Sequence, residues 1–203
     1  MRLAIFGDLH ANPDRALKFI DRMEPDSCLQ VGDYKCYGVL WPVPFYWIAG
    51  NHEERKTIVD IIDGKLTLPR NNTLLRAGIV HNICGLKVVG LPGLNRINPA
   101  PGQASFPRAA MERCLEIDES LKIDIFLSHG CGFPFWIDVY GHRINAEETA
   151  ITNLIRRLKP KIAISGHNHF FADEIYDKIR CIRLGKCNDN GFGEYILTDE
   201  NFV

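Results

Sequence analysis

The chain has no apolar stretch approaching the ~18 to 20 residues that a membrane-spanning helix needs, so no such span is expected among its 203 residues. It has almost no charge imbalance either. With 24 Lys and Arg against 25 Asp and Glu, no whole-molecule field draws it to nucleic acid or to an anionic membrane. No CxxC pair occurs, and seven cysteines is an odd number, which reads as free thiols in a reducing compartment rather than a disulfide framework or a zinc site. Internal repeats and low-complexity tracts are missing too, which excludes a solenoid and a disordered tail. An apolar run starts within two residues of the N-terminus, and Asp8 follows soon after. That spacing leaves no room for a cleavable leader, so the expected location is the cytoplasm. The length and a hydrophobic share of 46% suit one soluble domain, residues 1–203, with a sizeable core.

What the chain does have is a recurrence. Five short apolar runs each end in a small residue followed by Asp, Asn or His. Residues 3–6 precede Gly7-Asp8-Leu9-His10, residues 28–31 precede Gly32-Asp33, and residues 45–49 precede Gly50-Asn51-His52-Glu53. Later, residues 123–127 precede Ser128-His129-Gly130, and residues 161–164 precede Ser165-Gly166-His167-Asn168-His169. Short apolar runs bounded by Gly predict strands buried on both faces. In open α/β sheets ligands bind outside the carboxyl ends of such strands, so the polar tips are expected to meet along a sheet edge.

Between the runs the spacing predicts helices. One starts at Asn12-Pro13, with apolar positions at Ala16, Leu17, Ile20 and Met23, and ends before Pro25. Others are expected over residues 53–62, 108–119 and 146–158. Residues 73–91 are rich in Val and Ile and broken at Gly78 and Gly85, which suggests a hairpin. Residues 95–107, rich in Pro, Gly and Asn, read as a long loop, and residues 173–199 return to short strands. The expected fold class is therefore α/β, with two packed mixed β-sheets flanked by helices.

The tips carry Asp8, His10, Asp33, Asn51, His129, His167 and His169. Carboxylates, imidazoles and an amide without thiolate suit Mn²⁺, Fe or Zn²⁺. Seven donors are too many for one ion. Two divalent metal ions ~3.5 to 4 Å apart would hold both oxygens of an in-line phosphoryl displacement.

In this order, GDxH, GD, GNHE, H and GHxH, the motifs resemble those of the calcineurin-like metallophosphoesterases, and they span residues 7–169. The resemblance implies the four-layer αββα fold of that superfamily. It further implies that Asp8, His10 and His169 hold one metal, that Asn51, His129 and His167 hold the other, and that Asp33 bridges them. The nucleophile it implies is a hydroxide between two divalent ions, of which Mn²⁺ is the first choice. His52 corresponds to the superfamily's non-ligand histidine, a general acid or transition-state stabiliser at the leaving group.

Arg55, at a helix start, and His142 and Arg143, in the loop after the fourth tip, are further candidates for contact with phosphate. His81 and Cys131 read as structural, and Trp41, Phe45 and Trp47 as core. The phosphoprotein phosphatases of the superfamily carry GDxxDRG, whereas the residues here are Gly32-Asp33-Tyr34-Lys35-Cys36-Tyr37-Gly38. That departure disfavours a phosphoprotein substrate. The layout of residues 66–93 is similar to that of RNA lariat debranching enzymes, although those usually carry Cys where this chain has Asp8. The expected partner is thus a small phosphorylated substrate, a phosphodiester or nucleotide, or a short nucleic acid. A rival class is a non-catalytic scaffold of the same fold that binds a protein, but a scaffold has no need of His52.

Overall fold

Residues 1–93, 108–132, 146–187 and 193–202 are described by the computed structural model. All five apolar runs form strands that stop at their polar tips. The first three are β1 (Arg2–Phe6), β2 (Ser27–Gln30) and β3 (Phe45–Trp47), which pair in parallel. β4 (Asn72–Leu74) extends this sheet in parallel, and β11 (Glu194–Thr198) closes its other side antiparallel to β1. The order is β11-β1-β2-β3-β4.

The second sheet has six strands. Its centre is β6 (Leu86–Leu91), β7 (Ile125–Ser128), β8 (Ile162–Ser165) and β10 (Ile179–Arg183), all parallel. β5 (Val80–Ile83) and β9 (Ala172–Tyr176) are antiparallel edges, giving the order β5-β6-β7-β8-β10-β9. Three tips therefore belong to one sheet and two to the other. The single sheet edge expected from sequence is in fact the carboxyl edge of a two-sheet sandwich.

Alternation along each strand builds the layers. Leu3, Ile5, Leu29, Val31 and Ile48 pack between the sheets against Val88, Ile125, Leu127, Ile162 and Ile164. The opposite face of the first sheet, with Phe6, Cys28, Phe45 and Trp47, lies under α1 (Asp14–Met23) and α2 (Arg55–Ile62). Val89, Leu91, Phe126 and Ala163 lie under α3 (Arg108–Leu115) and α4 (Ala146–Leu158). Strands covered on both faces read as continuous apolar runs. Each Leu, Ile or Phe so buried contributes roughly 1.5 to 3 kcal/mol before entropic costs. The expected α/β class and αββα layering are both observed.

Three local expectations need correction. Residues 73–91 are not one hairpin: β4 belongs to the first sheet, and only β5 and β6 form a hairpin in the second. Its two-residue turn, Cys84 (φ 51°) and Gly85 (φ 82°), has the two positive φ values that a type I′ turn requires. The third helix stops at Leu115, short of 119. A separate 3₁₀ turn, Glu119–Leu121, follows, with the Asp118 side chain accepting from the Ser120 amide at 2.9 Å. The second helix starts at Arg55 rather than 53, because the Glu53 carboxylate is engaged elsewhere. All seven cysteines are free thiols. No helix among the described residues is long and apolar enough to cross a membrane. The loop expected at 95–107 lies outside the described residues.

Candidate metal centre

The glycines that precede polar tips have a steric cause. Gly32 has φ +104°, and a Cβ there would lie 2.4 Å from Nδ1 of His129, a residue of the opposite sheet. A Cβ on Gly166 would lie 2.5 Å from Oδ1 of Asp8, again across the sandwich. Any larger residue would hold the two sheet edges apart. The tips are also strained: His10, Asp33, His167 and His169 all have left-handed backbones, with φ of 48°, 54°, 69° and 55°. Such conformations cost about 1 to 3 kcal/mol each in non-glycine residues and cluster at functional sites.

On one side of the centre, Nε2 of His169 lies 3.0 Å from Oδ2 of Asp8, and Nε2 of His10 lies 3.5 Å from that of His169. Ligand atoms of Asp8, His10 and His169 all fall within 4.8 Å of one another. Asp8 is fully buried. Its Oδ1 accepts from the His167 amide at 3.2 Å, which fixes the last tip to the first.

The other side holds Asp33, Asn51, His129 and His167. Nδ1 of His129 lies 2.9 Å from the Val31 carbonyl oxygen, so this nitrogen carries the hydrogen and donates it. Nε2 then presents a lone pair, 2.8 Å from Asn51 Oδ1 and 3.5 Å from Asp33 Oδ2. While the imidazole is neutral, three electron pairs face one point. Asn51 Nδ2, also buried, has no hydrogen-bond partner among the described residues. Burial opposes a charge on His129, but the Asp33 and Asp8 carboxylates outweigh it and raise its pKa. This pocket attracts positive charge, and a divalent cation fits it at least as well as a proton does. The His167 ring stands 5.0 Å from that of His129, at 70°.

Asp33 joins the two sides. Its Oδ2 is 3.8 Å from His10 Nε2 and 3.9 Å from His52 Nε2, besides the 3.5 Å to His129. His52 is held through its backbone: its amide donates to Asp33 Oδ1 at 2.8 Å, while its side chain is 43% exposed, close to the 45% of His169. The ring therefore stands at the mouth, above a buried carboxylate. Charge on His169 is favoured by its hydrogen bond to Asp8, and charge on His10 is disfavoured chiefly by burial.

All seven predicted donors and His52 come together. Arg55 does not join them; it is exposed at the first position of α2 and lines a separate cavity that begins at Ala49 and Gly50. His142 and Arg143 lie outside the described residues. His81 lies in the edge strand β5, away from the tips. Cys131 is a buried thiol sharing a hydrogen bond with Ser165 at 2.8 Å, and burial pushes its pKa up, against a thiolate ligand.

Two residues at the centre went unassigned in the sequence. Glu53, fully buried, accepts from the amides of Tyr34 and Gly50 and so ties the second tip to the third. Gln30, also buried, donates to the carbonyls of Gly7 and Gly32 and accepts from the Gly32 amide at 3.0 Å. It ties the first tip to the second. The available signal was a polar residue inside an otherwise apolar run, and an acid packed directly behind a tip.

Buried carboxylates and clustered imidazoles gathered where two mixed sheets meet define a class of site suited to metal ions. The family profile of the calcineurin-like phosphoesterases matches residues 1–171, and the chain belongs to that family. No curated protein matches it in sequence. Among solved structures, it is similar to the protein TT1561 of Thermus thermophilus, with a TM-score of 0.70 and 12% identity over 100% of this chain and 99% of that one. Phosphopantetheinyl hydrolase (PptH) from Mycobacterium tuberculosis gives a TM-score of 0.59 and 12% identity over 97% and 95% of the two chains. An archaeal phosphodiesterase gives 0.54 and 14% over 100% and 96%. At these identities the likeness is one of fold.

Proposed function

We propose that this chain is a metal-dependent phosphoesterase, active as a single domain over residues 1–203, that hydrolyses a small phosphodiester or nucleotide using two divalent cations. The observation that carries this reading is the position of Asp33 Oδ2, within 4 Å of imidazoles from three different residues in two sheets. In it, Asp8, His10 and His169 hold one cation, Asn51, His129 and His167 hold the other, and Asp33 is shared. The N/O donor set without thiolate favours Mn²⁺, with Fe or Zn²⁺ as alternatives. When bound, such cations neutralise phosphate oxygens and acidify water.

The chain's own residues do the rest. Asp33 accepts the His52 amide hydrogen at 2.8 Å and so fixes the backbone that carries the catalytic imidazole. The exposed ring then donates a proton to the leaving-group oxygen, or stabilises charge there. Glu53 and Gln30 keep three tips in register, which preserves the distances on which such chemistry depends. Arg55 is the candidate contact to a phosphate oxygen or a substrate arm, together with His142 and Arg143. The near-neutral charge and free thiols support a cytoplasmic location.

A hydrolysis screen with added Mn²⁺ tests the reading, comparing bis-p-nitrophenyl phosphate, p-nitrophenyl phosphate and a panel of nucleotides. Turnover of the diester above the monoester is the expected result. Two tightly bound metals without hydrolysis of any of them would favour the protein-binding scaffold instead.

A further inference from the structure

A cavity of about 890 Å³ begins at Ala49 and Gly50, the residues that precede Asn51 and His52 of the metal centre. It sits at the edge of the sandwich where the chain steps from β4 to β5, between α2 and α3. Its volume is in the range of small-molecule sites. Two features of its lining point to a ligand.

The first feature is half-exposed apolar surface. α2 carries four aliphatic residues at positions 58, 59, 61 and 62, yet none of its residues is buried. Ile58 and Ile61 pack against the helix-covered core, while Val59 and Ile62 remain 42% exposed in the cavity. Ile79, across the cavity, is 43% exposed. Three of the nine exposed large hydrophobics among the described residues thus face one space.

The second feature is charge of one sign. Among the described residues, Arg55, Arg76, Arg108 and Arg113 line the cavity with a single acid, Glu116. Arg108 pairs with Glu112 at 2.9 Å. The other three arginines have no hydrogen bond or ion pair to any described side chain. Arg113 is firmly based, because a Cβ on Gly78 would meet its Cβ at 2.6 Å, so α3 is seated directly on the strand crossing. Guanidinium groups left unpaired above an aliphatic wall suit an oxyanion on an apolar stem.

We propose that this cavity holds the non-scissile arm of the substrate, and that this arm is an aliphatic chain ending in an oxyanion. The inference rests on the phosphoesterase reading of the adjacent centre and narrows its substrate. A nucleobase fits less well. Among the described residues the lining has no aromatic ring for stacking and no Asn or Gln to match a base edge.

The test uses three p-nitrophenyl phosphodiesters in the Mn²⁺-loaded protein, with ethyl, hexyl or ω-carboxypentyl as the second arm. The carboxypentyl diester is expected to exceed the ethyl diester in kcat/KM by about tenfold or more, through KM. An Arg76→Gln, Arg113→Gln double variant should bring that ratio close to one. Ile79→Glu, which puts a repelling carboxylate at an exposed position, should lower it as well. Equal kcat/KM for all three arms would overturn the proposal, and a hexyl diester equal to the carboxypentyl one would overturn its oxyanion component. Calorimetric titration with octanoate reads the cavity without turnover. Octanoate binding that the double variant loses, in a protein that hydrolyses no ester, would leave the cavity assignment standing and sink the phosphoesterase reading. Hydrolysis without octanoate binding would do the reverse.

Discussion

Nε2 of His129 and Oδ2 of Asp33 lie 3.5 Å apart although the two residues end strands of different sheets. Neither β2 nor β7 alone makes a metal site. Their approach places a buried imidazole lone pair against a buried carboxylate, and Gly32 makes it possible by leaving room for the ring.

His52→Ala should leave metal content intact and lower kcat by ~100-fold or more. Elemental analysis of the purified variant, next to its turnover of bis-p-nitrophenyl phosphate, gives both readings. Metal loss would contradict a role at the mouth, since the exposed ring is assigned no ligand function.

Asp33→Ala removes the atom common to both sides and the acceptor of the His52 amide. Both ions should be lost on dialysis. A variant that retains two equivalents of Mn²⁺ would show that the shared ligand is another residue, with Asp8 the next candidate because it belongs to both close ligand groups.

Glu53→Ala should leave the amides of Tyr34 and Gly50 buried without an acceptor. At about 1 to 3 kcal/mol for each orphaned donor, urea denaturation should register a loss of roughly 2 to 6 kcal/mol. Glu53→Gln keeps one carbonyl oxygen and should lose less. If the alanine variant unfolds at the same urea concentration as wild type, those amides find other partners.

Stability of metal-free protein should fall as pH rises above ~6.5. His129 and His169 have pKa values raised above the ordinary 6.5. The folded state therefore holds protons that the unfolded state has released, and this contribution disappears as pH passes their folded values. Glu53 acts in the same direction but from a lower pH: burial and then the Asp33 charge push it up to about 7, so its contribution is lost as pH rises from the ordinary carboxylate range to about 7. His10, lowered by burial, acts oppositely but only below 6.5. Added Mn²⁺ should restore more stability at the upper end and release protons when it binds near neutrality. Thermal melts with and without metal would expose a flat or rising trend, which would count against these assignments.

Much of the architecture was legible in the sequence because doubly covered strands leave continuous apolar runs, and tips that meet across a sandwich leave glycines. Where the reading slipped, local pattern carried no information about the partner. Residues 72–74 and 80–83 are both short and β-prone, yet they join different sheets, and only non-local pairing separates them. Gln30 was hidden for a similar reason: its neighbours are apolar, and its three hydrogen-bonding partners lie in two tips.

The sequence by itself determined the donor set, the order of the tips and the fold class, since each depends on residue type and local periodicity. Tertiary structure alone decided that the tips come from two sheets, that Asp33 Oδ2 lies within 4 Å of imidazoles from both of them, and that Asp8, Asp33, Asn51 and His129 are buried beneath the exposed rings of His52 and His169. It also decided that four arginines from α2, the β4-to-β5 crossing and α3 line one aliphatic cavity. These are relations between residues far apart in the chain, created when burial of the inter-sheet core brings two carboxyl edges together.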